Sequence, residues 1–347
     1  MTTGRPLQGP FADPIRKHLE TARRQISQGQ LKQAAQTLNQ AQRILPGDAR
    51  LFMLAALMAE KSGNQAGAFD AMRRCLNVAP NWGPGLLESA LLHARHDQFP
   101  QAIELAEKVA KLEPHNIQVL AGVIDVAHRA GHTEMAVRHL RRGLELVPGD
   151  MELRRMLAQD LSALGQHEEA LTLWNDLVAE NPGNQYALEG RLQALTAANQ
   201  INSPQAQEDA AALLALQPDN PIYAYQHQLT QGQTPDQQPI EISRDLFDGM
   251  AEEYDLHMVG QLGYRLPKLV AEKITQRHPQ KDINVLDLGC GTGLLGVYLG
   301  RLTGHLIGVD VAHKMIEQAA RHQVYDRFHT VNLHDALQAT PDGLYHV

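Results

Sequence analysis

The chain has 347 residues, 43% hydrophobic, 20% charged and only 5% aromatic, with a formal net charge of -8. At about 150 residues per domain this length implies two or more domains, and the shortage of aromatics favours Leu, Ala and Val cores built from packed helices. The lack of a Lys/Arg run argues against nucleic acid as a partner, the two distant cysteines (Cys75 and Cys290) argue against a disulfide framework, and the lack of an apolar run of about 18 residues argues against a membrane span.

Residues 1–14 hold Pro and Gly without a basic region followed by an apolar stretch, so they read as disordered and not as a secretory signal. The cytoplasm is therefore the expected location. Beyond them the chain repeats. Pro46, Pro80, Pro114, Pro148 and Pro182 lie 34 residues apart, and Pro218 follows after 36. Ala34, Ala68, Ala102, Ala136 and Ala170 keep the same step, with Ala206 two residues late. Gly29, Gly63, Gly131 and Gly165 form a third register, with Asp97 in its one gap.

Three residue types sharing one period predict a helical hairpin in each unit. The Gly, or Asp97, stands where the first helix ends and the chain reverses in a left-handed conformation. The Ala opens the second helix where two helices approach closely, and the Pro closes it because it lacks the next helical donor. Apolar residues recur between these markers at three and four spacing, as in Leu51, Leu54, Ala55 and Met58. One hairpin cannot bury such a stripe alone, so the hairpins are expected to stack.

With that period, small residue and terminal proline, residues 15–225 resemble six tetratricopeptide repeats, the sixth degenerate, with Pro204 near the start of its second helix. The resemblance implies a superhelix whose first helices line a concave face that binds a protein or peptide partner. In family register that face would carry Met53, Leu57, Leu87 and Leu91, then Asp125, Glu152, Arg155 and Gln159. Leu19 and Arg23 stand where the subfamily that clamps a C-terminal carboxylate has its Lys and Asn pattern, which disfavours that ligand.

Six of the fourteen residues from Gln226 to Pro239 are Gln, with Gly232 and Pro235 among the rest, so residues 226–242 read as a solvated linker. A helical pattern then runs through Leu246, Phe247, Met250 and Tyr254, and another through Leu266, Leu269, Val270 and Ile274. Next come an apolar run with a Gly-rich turn, Asn284-Val-Leu-Asp-Leu-Gly-Cys-Gly-Thr-Gly-Leu-Leu-Gly296, a helix over 294–302, a strand over 306–309 ending at Asp310, a helix over 313–322 and a strand over 328–333. Alternating strands and short helices predict a parallel sheet whose ligand sits at the C-terminal strand ends.

The glycines admit two readings. Gly291, Gly293 and Gly296, with Asp310 19 residues after Gly291, satisfy a dinucleotide fingerprint. Asp287, Gly289, Gly291 and Gly293 satisfy the D-x-G-x-G-x-G pattern of class I methyltransferases. Asp287 favours the second, because a carboxylate at that strand end repels a pyrophosphate and attracts the ammonium and sulfonium of S-adenosylmethionine. Cys290 inside the turn reads as a small packing residue, and the His93/His96 and His128/His132 pairs lack a third ligand for a metal.

Residues 245–337 resemble a bacterial family of tetratricopeptide-bearing methyltransferases, on Phe247-Asp-Gly-Met-Ala-Glu-Glu-Tyr-Asp255, Leu262-Gly-Tyr-Arg-Leu-Pro267, the glycine motif and Gly308-Val-Asp-Val311. The fold class implied is a multidomain one: an all-α tetratricopeptide superhelix followed by an α/β Rossmann-like class I methyltransferase domain. The resemblance implies S-adenosylmethionine as cofactor, held by Tyr254, Asp287, Gly289, Cys290, Gly291, Gly293, Asp310, Val311, Asn332 and Leu333. Within that set Tyr254 closes over the ligand, Asp310 binds the ribose hydroxyls, Val311 lies against adenine, and Asn332 stands where an acidic residue usually reads the adenine amino group.

Strand order 3-2-1-4-5-7-6 in that family needs more chain than residues 243–347, which supply strands one to three and a possible start of the fourth at 344–347. The expectation is a fragment of a longer enzyme, lacking its catalytic residues and leaving the first strand with an unpaired edge. The alternative function is an adaptor whose truncated domain is inactive.

Overall fold

The computed structural model describes residues 13–347. The expected disorder of residues 1–14 falls, for 1–12, outside the described residues. Pro14 and Ile15 form a turn, and the Asp13 carboxylate before it accepts from the Ile15 N–H at 3.2 Å and pairs with Arg50.

The helices run in pairs: α1 (Arg16–Ser27) with α2 (Leu31–Ile44), α3 (Ala49–Lys61) with α4 (Gln65–Val78), and α5 (Gly83–Arg95) with α6 (Phe99–Leu112). The pattern continues through α7 (Ile117–Arg129) with α8 (Thr133–Leu146), and α9 (Met151–Ala163) with α10 (His167–Glu180). Then come α11 (Gln185–Ala197), α12 (Pro204–Leu216) and α13 (Pro221–Thr230).

The marker residues act as their chemistry requires. Gly29, Gly63, Gly131 and Gly165 turn with φ of 64° to 78°, and Asp97 takes the same conformation at 57°. Asn199, 34 residues after Gly165, does so in the sixth unit at 58°. Ala34, Ala68, Ala102, Ala136, Ala170 and Ala206 are all 0% exposed, so no larger side chain fits where the helices meet. Each repeat proline follows its helix by two residues. The residue between is forced out of the helical region, with φ of -127° to -144° and ψ of 58° to 87°.

A fourth register escaped the sequence reading. Asp48, Asn116, Asp150, Asn184 and Asn220 each cap the following helix through a side-chain oxygen. Asn220 starts α13, which carries Gln226 to Thr230 inside it; the next helix, α14 (Ile240–Met250), begins inside the expected linker as well. The non-helical connection is thus residues 231–239 and not 226–242, because Gln is a good helix former once a cap is supplied.

The chain divides into two compact units at Ile201 and Asn202. Helix α12, read from sequence as the closing helix of the sixth hairpin, groups with the second unit. There it packs on α13, and the Gln207 amide donates to the Thr230 carbonyl at 3.1 Å.

The second unit continues through a π-helical turn (Leu256–Gln261), α15 (Leu266–Arg277), β1 (Val285–Leu288), α16 (Leu294–Leu299), β2 (Leu306–Asp310), α17 (His313–Arg321), β3 (Arg327–Thr330) and α18 (Leu333–Ala339). The strands are parallel in order β1-β2-β3, with Asp287 opposite Gly308 and Asp310 opposite Thr330. Ala271, Ile274, Ile283, Val285, Leu299 and Leu306 form the core beneath β1 and β2.

Several bounds differ from those expected. Helix α16 stops at Leu299, not 302, because Gly300 turns left-handed with φ 64°. The third strand ends at Thr330, since Asn332 caps α18 and draws Leu333 into that helix. Residues 344–347 are not a strand, yet they cover the edge of β1 expected to stand unpaired. The Leu286 N–H donates to the Val347 carbonyl at 3.0 Å and the His346 N–H to the Asn284 carbonyl at 2.8 Å.

The partner-binding register also changes. Met53 is buried among Ala68, Met72 and Leu92, and Leu57 packs on the core of the first hairpin, so both serve packing. Leu87 covers Gly122, where an added Cβ would lie 2.7 Å from its methyl. Arg155 bonds Glu152 at 2.9 Å and Gln159 at 3.2 Å, beside a cavity of about 410 Å³ that Met151 and Tyr186 also line. His128 pairs with Asp160 at 2.8 Å, joining α7 to α9.

Candidate cofactor site at the ends of β1 and β2

The chain leaves β1 through three left-handed glycines, with φ of 75°, 53° and 83° at Gly289, Gly291 and Gly293. This path stays closed by backbone bonds: Gly289 and Cys290 N–H donate to the Val309 carbonyl at 2.8 and 3.0 Å, and Gly293 N–H to the Cys290 carbonyl at 2.8 Å. A left-handed turn costs an L-residue with a Cβ roughly 1–2 kcal/mol, which explains the glycines.

The glycines divide by surroundings. An added Cβ at Gly291 would meet nothing within 4 Å, and one at Gly289 only Leu333 at 3.9 Å. At Gly293 it would lie 2.9 Å from Ala319, and at Gly296 2.4 Å from the Tyr325 ring. Gly289 and Gly291 thus leave open space beside the turn. Gly293 and Gly296 let α16 pack, the role of a third fingerprint glycine in either reading.

Two carboxylates flank the open part. Asp310 is buried at the end of β2, its two oxygens accepting from the Gly291 N–H at 2.8 Å and the Ala312 N–H at 2.9 Å. An ionised carboxylate has about four lone-pair sites, so both oxygens keep capacity for hydroxyl donors. Asp287 at the end of β1 accepts from the Tyr325 hydroxyl at 2.6 Å. Burial pushes the Asp287 carboxyl above its ordinary value; Tyr325 opposes the shift and the Asp310 charge adds to it. Two carboxylates at one turn, Asp287 half-buried and Asp310 buried, suit a cationic ligand.

Cys290 is buried, and an added Cβ at Gly308 would lie 3.0 Å from its sulfur. Burial, with Asp287 and Asp310 nearby, pushes its thiol strongly upward, so it stays protonated and inert as a nucleophile.

The helices before β1 reach the same place. Tyr254 packs with Phe247, Ala312 and Met315, and burial raises its phenol, with Asp310 a lesser influence. Asp255 accepts from the buried Thr292 hydroxyl at 2.5 Å, and Asp248 accepts from the Lys314 N–H at 2.8 Å. Val311 is half-buried directly after Asp310, and the Val331 N–H donates to the Asp310 carbonyl at 3.1 Å, which brings Asn332 alongside. The Asn332 side-chain oxygen accepts from the His334 N–H at 2.9 Å, and the side chain can still offer its amide protons to a ligand.

Sequence reasoning missed Tyr325, Thr292 and Asp255. For Tyr325 the available signal was Gly296, a glycine in a helix that needs a nearby large side chain to explain it.

Residues 285–343 match the methyltransferase domain family. The strand, glycine turn and acidic second strand end therefore make this part of the chain a methyltransferase domain of class I type, preceded by tetratricopeptide-type hairpins. Two relatives are similar in part. One is a 23S rRNA (uracil(1939)-C(5))-methyltransferase of Marinomonas posidonica, 46% identical over 55 residues, 16% of this chain and 12% of the relative. The other is a ubiquinone biosynthesis O-methyltransferase of Roseobacter denitrificans, 32% identical over 97 residues, 24% of this chain and 38% of the relative. The chain thus spans well under half the length of either.

Among solved structures, YrrB, described as a tetratricopeptide protein with an unusual peptide-binding site, aligns with TM-score 0.46 at 17% identity, over 54% of this chain and 96% of its own. PilF of Pseudomonas aeruginosa aligns with TM-score 0.46 at 16% identity, over 63% and 96%. Among the described residues no helix is long and apolar enough to cross a membrane.

Proposed function

We propose that this protein binds S-adenosylmethionine at the glycine turn and transfers its methyl group, and that the helical repeats recruit a protein substrate or partner. The observation that carries the reading is the pair of carboxylates, half-buried Asp287 and buried Asp310, on either side of a turn that is open at Gly291.

Bound S-adenosylmethionine supplies a methyl group on a sulfonium already activated by its positive charge. What the chain contributes is binding and orientation. Asp287 receives the ligand's ammonium, and its charge opposes any phosphate placed there. Asp310 accepts from the ribose hydroxyls while its backbone bonds hold the turn in shape. Gly289 and Gly291 admit the ligand against the backbone, Val311 and Leu333 offer apolar contact, and Tyr254 covers the site from the segment between α14 and the π-helical turn. The free, buried Cys75 and Cys290 accord with a reducing cytoplasm.

Isothermal titration of the chain with S-adenosylmethionine, and with NAD as the competing ligand, tests the cofactor. Heat with the first and none with the second supports the proposal; heat with NAD alone refutes it. Binding without transfer of a tritiated methyl group to any protein of a lysate would favour an inactive adaptor.

A further inference from the structure

We propose that Tyr325 is a positioning residue for the methyl donor: its hydroxyl orients the Asp287 carboxylate and holds it in the charged form that a cationic ligand needs. The inference rests on the cofactor reading above and adds the device that prepares the site.

The geometry leaves the phenol one choice. Its oxygen lies 3.2 Å from the Gly296 N–H and 2.6 Å from Asp287 Oδ2. The amide can only donate, so the hydroxyl accepts from Gly296 and turns its single proton toward Asp287. A donor aimed at a carboxylate stabilises the ionised state. Gly296 is the third residue of α16, and its N–H is one of the helix's first four donors, which lack a partner within the helix. The same hydroxyl therefore ties the first helical turn to the carboxylate.

The ring has a place prepared for it. An added Cβ at Gly293 or Gly296 would lie 3.2 or 2.4 Å from it, and the Phe328 ring packs against it, tilted by 33° at 4.9 Å between centroids. The groups that face Asp287 are Tyr325, Asp310 and Cys290. Asp310 repels it and the Cys290 thiol is neutral, so among the described residues Tyr325 is the side chain that favours its charge. Tyr325 meets Asp287 through one oxygen, which leaves the remaining lone pairs for the ligand.

The test follows S-adenosylmethionine affinity by calorimetry from about pH 3.5 to 9, a window that begins below the ordinary carboxylate value, in the full chain, its Tyr325→Phe and Asp287→Asn variants, and a form with 3,5-difluorotyrosine at position 325. Wild-type affinity should rise with pH as Asp287 ionises. Tyr325→Phe should move that rise upward by about one unit, binding about tenfold more weakly below it and converging with wild type above it. The fluorinated phenol, a stronger donor, should move it downward, and this arm decides if Tyr325→Phe fails to fold. Asp287→Asn should bind weakly at every pH. An unmoved midpoint in both Tyr325 forms overturns the proposal whatever happens to overall affinity. If wild type does not bind, or Asp287→Asn binds like wild type, the cofactor reading fails instead. A carbon-13 titration of the Asp287 carboxyl in the ligand-free forms then decides the role of Tyr325 by the same shifts.

Discussion

Gly190 in α11 sets two effects of opposite sign against each other, so Gly190→Ala is an informative change. Alanine in a helix interior is favoured over glycine by about 1 kcal/mol. The added Cβ would lie 2.4 Å from Cη2 and Cζ2 of Trp174, and 2.7 Å from Cε2. Carbon atoms rest about 3.5–4.0 Å apart, so the indole must move by more than about 1 Å. It is a rigid ring, 3% exposed in the core between α10 and α11, and has no free direction to take. Overpacking of this kind costs about 1–3 kcal/mol, and the severity of the overlap places it near the top of that range. The net expectation is a loss of about 1–2 kcal/mol in urea unfolding followed by circular dichroism. In a Trp174→Leu background the wall is gone, and Gly190→Ala should become stabilising by up to about 1 kcal/mol, a coupling of about 2–3 kcal/mol across the cycle. Stabilisation by Gly190→Ala in the wild-type background would refute the packing argument.

Asp310→Asn must set an amide N–H₂ against either the Gly291 or the Ala312 N–H, whichever way it flips. It forfeits a hydrogen bond to a charged group worth about 1.5–3 kcal/mol, partly offset by relief of Asp287, so urea unfolding should show a loss of about 1–2 kcal/mol. S-adenosylmethionine binding should weaken at least about tenfold, and an unaffected affinity would remove Asp310 from the site. His139 is buried, and burial lowers its imidazole below the ordinary 6.5, with Glu107 opposing the shift. Its contribution to stability is full above pH 6.5 and lost as pH falls through the folded value. Between pH 7.5 and 5 wild type should thus lose more stability than His139→Gln; equal losses would contradict this. Burial pushes the Cys75 thiol up to about 11, and the Cys290 thiol higher still. Neither should react with a disulfide reagent at pH 8 in the native protein, and both should react in guanidinium; prompt native labelling of Cys290 would show the turn to be open at its sulfur.

The repeat architecture was legible because its markers act locally. A proline ends a helix through its own ring and missing proton, a glycine reverses the chain through its own φ, and both recur every 34 residues wherever the hairpins lie in space. The Asp and Asn caps are equally local; Asn220 marks the start of α13, whose second half, residues 226–230, lies in the expected linker. The glycine turn, Asp287 and Asp310 were legible for the same reason: strand, turn and helix follow one another directly. The partner surface was less so, because Met53 and Leu57 carry the same apolar signal whether they meet a ligand or a neighbouring helix. Only the tertiary structure paired Tyr325 with Asp287 across 38 residues and Asp255 with Thr292 across 37. Such contacts are set by how β1, β2 and β3 register and how the flanking helices pack. Hydrophobic periodicity says which residues turn inward, and the packed fold alone says which of them meet.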